Sequence, residues 1–296
     1  MHINLTNLNA SSIPHELHQR QGDLQLLDRM MPGREINPEM KITTFNANSI
    51  RSRIDIVTGW LQANRPDVLC IQETKAQDAD FPRDAFTDIG YHIAFRGEKT
   101  YNGVAVASLA VPDDVSFGFD DDGNADATRL VVARFGDLRV INTYVPQGRE
   151  IDNPMYAYKL EWFLRLRRWL ERHASPDDLL LWTGDLNVAP EAMDIHNAEK
   201  QANHVCYHVD VRQAFAETVD WGFVDVFRKY HPEPDQYTFF DYRTPNAAKR
   251  KMGWRIDHML ATAPLVARSV DSSIDLAPRL LGKPSDHTFL TAEFDM

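Results

Sequence analysis

Five short segments of this chain each carry an apolar run straight into a carboxylate, a carboxamide or a histidine: TTFNANS (43–49), VLCIQETK (68–75), LLLWTGDLN (179–187), WRIDHML (254–260) and PSDHTFL (284–290). An ionisable side chain at the end of a buried strand is costly unless it is paired or bound to a metal. Repeated placement of such groups points to one shared polar site, catalytic in character, and constrains the fold to one that brings these segment ends together.

At 296 residues the chain accommodates two modest domains or one large α/β or double-sheet domain, and one domain is expected. No apolar stretch reaches the roughly 18 residues needed to span a bilayer. Residues Met1 to Asn9 lack the basic-then-apolar pattern of a secretory signal. The expectation is a soluble, cytoplasmic, monomeric protein without membrane contact. The two cysteines, Cys70 in an apolar run and Cys206 in a polar stretch, form neither a disulfide framework nor a structural zinc spacing, and Cys70 reads as a free buried thiol.

The formal net charge of −11 argues at first against a nucleic-acid partner. Global charge is a weak criterion, because a local basic strip or a bound cation reverses the field where a substrate sits. Basic strips do occur beside the polar segments: Arg51 and Arg53, then Arg149, then Lys249, Arg250, Lys251 and Arg255. Each taken alone reads more simply as a solvated face.

Residues 1–38 are polar, hold Pro14, Pro32-Gly33 and Pro38, and show no sustained period beyond a short amphipathic turn at Leu24, Leu27 and Met31. They read as a flexible extension outside a continuous domain at 40–296. Ile50, Ile54, Val57 and Leu61 recur at helical spacing, so strand, helix and then strand 68–72 form the opening unit. Asn153 and Pro154 read as N-cap and first residue of a second helix. Tyr158, Trp162, Leu166, Trp169 and Leu170 make its apolar face, with Arg165, Arg168 and Arg172 expected on the solvated side. Strand runs at Val104–Leu109, Leu130–Phe135 and Leu138–Val145, the last two joined by Gly136-Asp137 as a hairpin, place Val140, Asn142 and Tyr144 on one face. Strands in both halves with helices interspersed predict two packed sheets with helices outside.

Singly, each polar segment has a plainer explanation. Asn46 and Asn48 suit a turn, Glu73 a salt bridge, Asp185 an Asx turn, Asp257 a paired core acid, and Asp286-His287 a helix cap with an idle imidazole. Jointly those explanations must all hold independently. Read together, the residues form a hard-oxygen set without cysteine, which suits Mg²⁺ or Mn²⁺ and phosphate chemistry rather than zinc. Phosphodiester hydrolysis needs a polarised phosphoryl oxygen, an activated water and a stabilised leaving oxygen. Asp257 and His287 can supply a carboxylate–imidazole pair whose ring is held as a donor.

The motifs FNANSIRSR (45–53), IQETK (71–75), NTYVPQGR (142–149), TGDLNVAPEAMDI (183–195), YTFFDYR (237–243), GWRIDHML (253–260) and PSDHTFL (284–290) occur in order over about residues 40–296. On these motifs the chain resembles the exonuclease III group of class II apurinic/apyrimidinic endonucleases, within the endonuclease/exonuclease/phosphatase superfamily. The resemblance implies an α+β, DNase I-like fold: a four-layer α/β sandwich of two packed mixed β-sheets flanked by helices, with the site at one end. It implies Glu73 as principal metal ligand, Asn46 and Asp286 beside it, and Asn48 at a position where some relatives carry aspartate. Asp185 resembles the residue that orients or deprotonates the attacking water, and Asn187 the one that helps fix it. Tyr144 resembles the phenol on the phosphate, and Asp257 with His287 the pair that donates to it. Phe239, Trp254 and Ile256 resemble the apolar pocket for a flipped, base-less deoxyribose, and Arg149 a groove or phosphate contact. Phe240 reads as an ordinary core aromatic.

The implied activity is Mg²⁺-dependent incision of double-stranded DNA 5′ to abasic sites, with action at 3′ ends. Two other readings are a phosphodiesterase of the same superfamily acting on inositol phosphates or sphingomyelin, and a catalytically retired nucleic-acid-binding relative. The aromatic pocket and the VPQGR segment disfavour the first. Retention of Glu73, Asp185, Asn187, Asp257, Asp286 and His287 disfavours the second.

Overall fold

Two parallel strand pairs, each bridged by a helix, form the centre of the molecule. In the computed structural model, β1 (Glu39–Asn46) runs parallel to β2 (Val68–Gln72) across helix α1 (Ile50–Asn64). In the second half, β7 (Leu138–Tyr144) runs parallel to β8 (Leu179–Asp185) across helix α2 (Pro154–His173). The structure describes residues 39–296. The expected N-terminal extension, with its short turn at Leu24, Leu27 and Met31, lies outside the described residues.

Antiparallel strands extend each pair into a six-stranded mixed sheet. The first sheet adds β3 (His92–Arg96), β4 (Val104–Ser108), β11 (Ser269–Asp275) and β12 (Phe289–Asp295) in the order β11-β12-β1-β2-β4-β3. The second adds β5 (Asp114–Phe117), β6 (Leu130–Phe135), β9 (Phe223–Asp225) and β10 (Asp257–Thr262) in the order β5-β6-β7-β8-β10-β9. The two sheets pack face to face, as expected, and the hairpin at Gly136-Asp137 joins β6 to β7.

Strand periodicity decides which side chain faces which layer. On β2, Val68 and Cys70 enter the core between the sheets while Leu69 and Ile71 pack outward beneath α1, so the whole strand is buried. Ile50, Val57, Trp60 and Leu61 form the buried face of α1, and Trp60, Phe289 and Phe45 stack in series. On the other outer face, Trp162, Phe163 and Leu166 of α2 pack with Trp182, Ile141 and the helix α3 (Val209–Val219). The Asn153 side chain accepts from the Met155 N–H at 3.0 Å, with Pro154 in the first turn. Phe240 is a core aromatic, in a small cluster with Tyr237 and Ala247.

Two sequence expectations, both on arginines, need correction. Arg165 is not on a solvated face: it is 5% exposed and its guanidinium pairs with Asp121 at 2.6 Å and Asp126 at 2.8 Å. Arg255 is not part of a basic surface strip, being buried with bonds to Asp194 at 2.6 Å and Asp225 at 2.7 Å. Cys206, though set in a polar stretch, is as buried as a core residue. Helical periodicity registers apolar faces and does not register a long cation drawn inward by acids from a distant loop. No helix of the described residues is long and apolar enough to cross a membrane.

Candidate active site

Parallel strands with a shared direction deliver their carboxyl ends to one edge, where ligand sites of α/β sheets form. Asn46 and Gln72 are register partners at the ends of β1 and β2, and Tyr144 and Asp185 at the ends of β7 and β8. Antiparallel β10 begins at the same edge, with Asp257 opposite Asp185. The 285–288 segment enters β12 beside β1, bringing Asp286 and His287 to the same place. Directly beneath, the fully buried Gln72 and Asn142 join the two sheets through a 2.7 Å bond.

The side chains form a continuous network. Asn46, fully buried, donates through its amide to Glu73 Oε1 and to Asp185 Oδ2, both at 2.8 Å. His287 Nδ1 lies 2.8 Å from Asp257 Oδ2, and its Nε2 lies 3.8 Å from Asp185 Oδ2. Lys75 Nζ sits 2.8 Å from Glu73 Oε2 and 2.5 Å from Asn48 Oδ1, while the Asn48 amide donates to Asp286 at 3.0 Å. The Asn187 N–H donates to Asp185 Oδ1 at 3.0 Å and its side chain to Val145 O at 3.0 Å. Donor atoms of Glu73, Asp185 and His287 all lie within 4.8 Å of one another.

Burial and charge set the protonation states. Burial, with Glu73 and Asp185 nearby, raises the Tyr144 phenol well above its usual value, so it stays a hydrogen-bond donor. Burial raises Asp185 to about 7, aided by Asp257 and Glu73 and opposed by His287 and the Asn46 bond. Burial alone would lower His287, yet Asp257 and Asp185 outweigh it and raise the imidazole to about 10. Burial likewise pushes Glu73 up, but Lys75 and Asn46 bring it below the usual carboxylate range.

The backbone is strained where it carries these groups. Asn48, Glu73, Lys75, Arg149 and Asn187 all have left-handed φ values, at 42°, 48°, 48°, 62° and 51°. Such conformations persist only where surrounding contacts over-determine them. Gly184, at φ 130°, allows β8 to run against β7, since a Cβ there would lie 2.0 Å from Thr143 O.

A cavity of about 230 Å³ opens above this network. Glu73, Tyr144, Asp185, Asn187, Asp286 and His287 supply its polar side, and Phe239, Trp254 and Ile256 its apolar side. The structure thus brings together eleven of the expected site residues, counting the buried supports Asn46 and Asp257. Asn48 stands at the edge, reaching the centre through Asp286 and Lys75. Arg149 is exposed on the loop after β7 and does not line the cavity.

Other wall residues went unread as site residues in the sequence. Gln147, Asp241 and Arg243 lie inside family-like motifs, so position in a motif could have found them, as it could have found Lys75 of IQETK, which pairs with Glu73 without lining the cavity. His204 and Cys206 come from an aperiodic loop, and only the fold sets His204 against the Trp254 ring at 4.3 Å between centroids. Burial lowers His204 to about 4, so it is neutral at physiological pH.

A two-sheet sandwich with an acid, amide and imidazole cluster at the strand ends defines a phosphodiester hydrolase, and comparison with known proteins agrees. Residues 43–287 match the endonuclease/exonuclease/phosphatase family. Over 267 residues the chain is 32% identical to exodeoxyribonuclease III of Haemophilus influenzae, covering 86% of this chain and 100% of that protein. An AP endonuclease structure from Archaeoglobus fulgidus shares 51% identity at a TM-score of 0.85, covering 87% of this chain and 100% of that one. A 3′-5′ exonuclease from Neisseria meningitidis shares 39% identity at a TM-score of 0.82, with the same coverage.

The chain belongs to the endonuclease/exonuclease/phosphatase family, and within it to the exodeoxyribonuclease III and AP endonuclease group.

Proposed function

We propose that this protein is a DNA repair nuclease that uses Mg²⁺, with Mn²⁺ able to substitute, to incise duplex DNA 5′ to abasic sites and to trim or clean 3′ ends. The convergence of Glu73, Asp185 and His287 donor atoms within 4.8 Å beside an apolar recess carries the reading. The donor set fits a hard divalent cation: carboxylates from four segments, Glu73, Asp185, Asp257 and Asp286, crowd one edge, and among the described residues Lys75 is the one ammonium against Glu73. Glu73 would hold the ion, with Asn46 and Asp286 next to it and Asn48 outside. When bound, it would polarise the phosphoryl oxygen and steady the leaving oxygen.

The chain's own groups do the rest. Asp185, with its pKa raised to about 7, suits a base that takes a proton from water near neutral pH, and Asn187 fixes that water. Asp257 holds His287 as a charged donor facing the phosphate, and the neutral Tyr144 phenol donates beside it. Phe239, Trp254 and Ile256 receive a deoxyribose without its base, where a normal nucleotide would clash. Arg149, on the rim, contacts the groove or a phosphate. The domain at 40–296 acts as a monomer in the cytoplasm, and residues 1–38 are dispensable for its folding.

The experiment is one assay series with matched duplexes carrying an internal abasic analogue, a 3′-phosphate or a plain recessed 3′ end, each with and without Mg²⁺. Cleavage 5′ to the abasic analogue that leaves a 3′-hydroxyl is the expected result. Binding without cleavage of any duplex would establish a retired relative instead. Faster hydrolysis of an inositol phosphate or sphingomyelin would move the substrate outside DNA.

A further inference from the structure

One buried cation behind the cavity has no part in the scheme above. Lys159, on α2, is fully buried, and its ammonium donates to three backbone carbonyls: Asn187 O at 2.7 Å, Val205 O at 2.8 Å and Gln147 O at 3.1 Å. Cys206 Sγ lies 3.9 Å away. Among the described residues no carboxylate shares these protons, and burial pulls the ammonium below its usual pKa. An unneutralised buried charge is expensive, and an apolar residue of similar volume is often as stable or more so.

The three carbonyls belong to three different loops of the cavity wall. Gln147 lies after β7, Asn187 after β8, and Val205 lies between the wall residues His204 and Cys206. Asn187 has the left-handed φ of 51°, and its carbonyl receives the shortest of the three bonds. Gly148, at φ 98°, brings the first loop so close that a Cβ would lie 3.3 Å from Lys159 Cδ. Three protons matched to three acceptors fix the relative positions of three loops in a way no apolar side chain can.

We propose that Lys159 is a positioning residue for phosphodiester hydrolysis, its ammonium holding the Asn187 main chain, and with it the water-fixing amide, in register with the Gln147 and Val205 loops. The proposal rests on Asp185 and Asn187 being the groups that prepare the water. Loss of the ammonium should therefore lower kcat with little change in KM, and through Asn187 rather than through general loosening.

The test is a mutant cycle on full-length protein with a duplex carrying an internal tetrahydrofuran abasic analogue. Lys159→Met should lower kcat about a hundredfold with KM within about threefold. Lys159→Gln, which keeps an N–H donor, should recover at least about tenfold of that loss and serves if the Met variant does not fold. Combined with Asn187→Ala, either Lys159 variant should add less than about threefold to the Asn187 defect, since both act on one unit. A folded Lys159→Met enzyme at wild-type kcat, a Gln variant no better than Met, or defects that multiply in the double mutant would each overturn the proposal. Asn187→Ala at the wild-type rate would sink the reading of the site itself, whereas a crippled Asn187→Ala beside a fast Lys159→Met would sink only the role of Lys159.

Discussion

Arg255 and Asp257 stand two residues apart and belong to opposite kinds of buried charge. Around Arg255 the charges balance. Asp194 and Asp225 face Arg255 and Arg228, His258 bonds to Arg255 and to Val188 O, and no side-chain polar atom of the two acids is left unpartnered. Around Asp257 the balance fails. Among the described residues, the four carboxylates Glu73, Asp185, Asp257 and Asp286 have only Lys75 and His287 as cationic partners, and Asp257 Oδ1 is buried without any partner. Burial of charge alone therefore does not mark a catalytic site. Uncompensated charge with strained backbone and an open cavity does.

The largest expected effect tests the uncompensated side. Asp185→Asn keeps the shape and removes the base, so single-turnover cleavage of an abasic duplex should fall about 10²–10⁴-fold while duplex binding persists. An unchanged rate would mean that the cluster is not arranged for water activation. On the balanced side, Asp194→Asn leaves Arg255 and Arg228 short of charge and should cost about 3–5 kcal/mol in urea unfolding. Its cleavage rate per folded molecule should change far less than that of Asp185→Asn. Similar rate losses in both variants would erase the distinction.

Stability should also respond to pH with opposite signs. Burial would raise Asp225 and Asp194, but Arg255 outweighs it and holds both below the usual range. Their contribution is present above the unfolded carboxylate value of about 3.9 and is lost as pH falls through the folded value. Asp185 is raised to about 7, so the folded state keeps a proton that the unfolded chain releases. Without metal, its contribution is full below about 3.9 and is lost as pH rises toward the folded value. His287, raised to about 10, adds a second loss further up. A divalent cation favours ionised Asp185, so Mg²⁺ should raise the melting temperature more at about pH 8 than at about pH 5, relative to chelator. Equal shifts would show that the ion does not engage this cluster.

The smallest effect is expected on the rim. Arg149→Ala should raise KM less than about tenfold, leave kcat unchanged, and reduce the salt dependence of binding by about one phosphate contact. A large kcat defect would place Arg149 inside the reacting unit despite its exposure.

What the sequence determined by itself were the ends of its strands. Apolar runs that stop at Asn46, Glu73 and Asp185, and others that start at Asp257 and His287, are local signals, because a strand's burial is written in consecutive residues. The order of those motifs was enough to place the chain in its family. Which buried charges serve structure and which serve chemistry was decided only in three dimensions. Asp194 and Arg255 are 61 residues apart, Arg165 finds acids 39 and 44 residues away, and Lys159 joins loops 12, 28 and 46 residues distant. A cation's partners set its energy in a low-dielectric interior, and those partners become neighbours only when the two sheets close on each other. The same closure turned His204 and Cys206, unmarked by any period, into walls of the cavity.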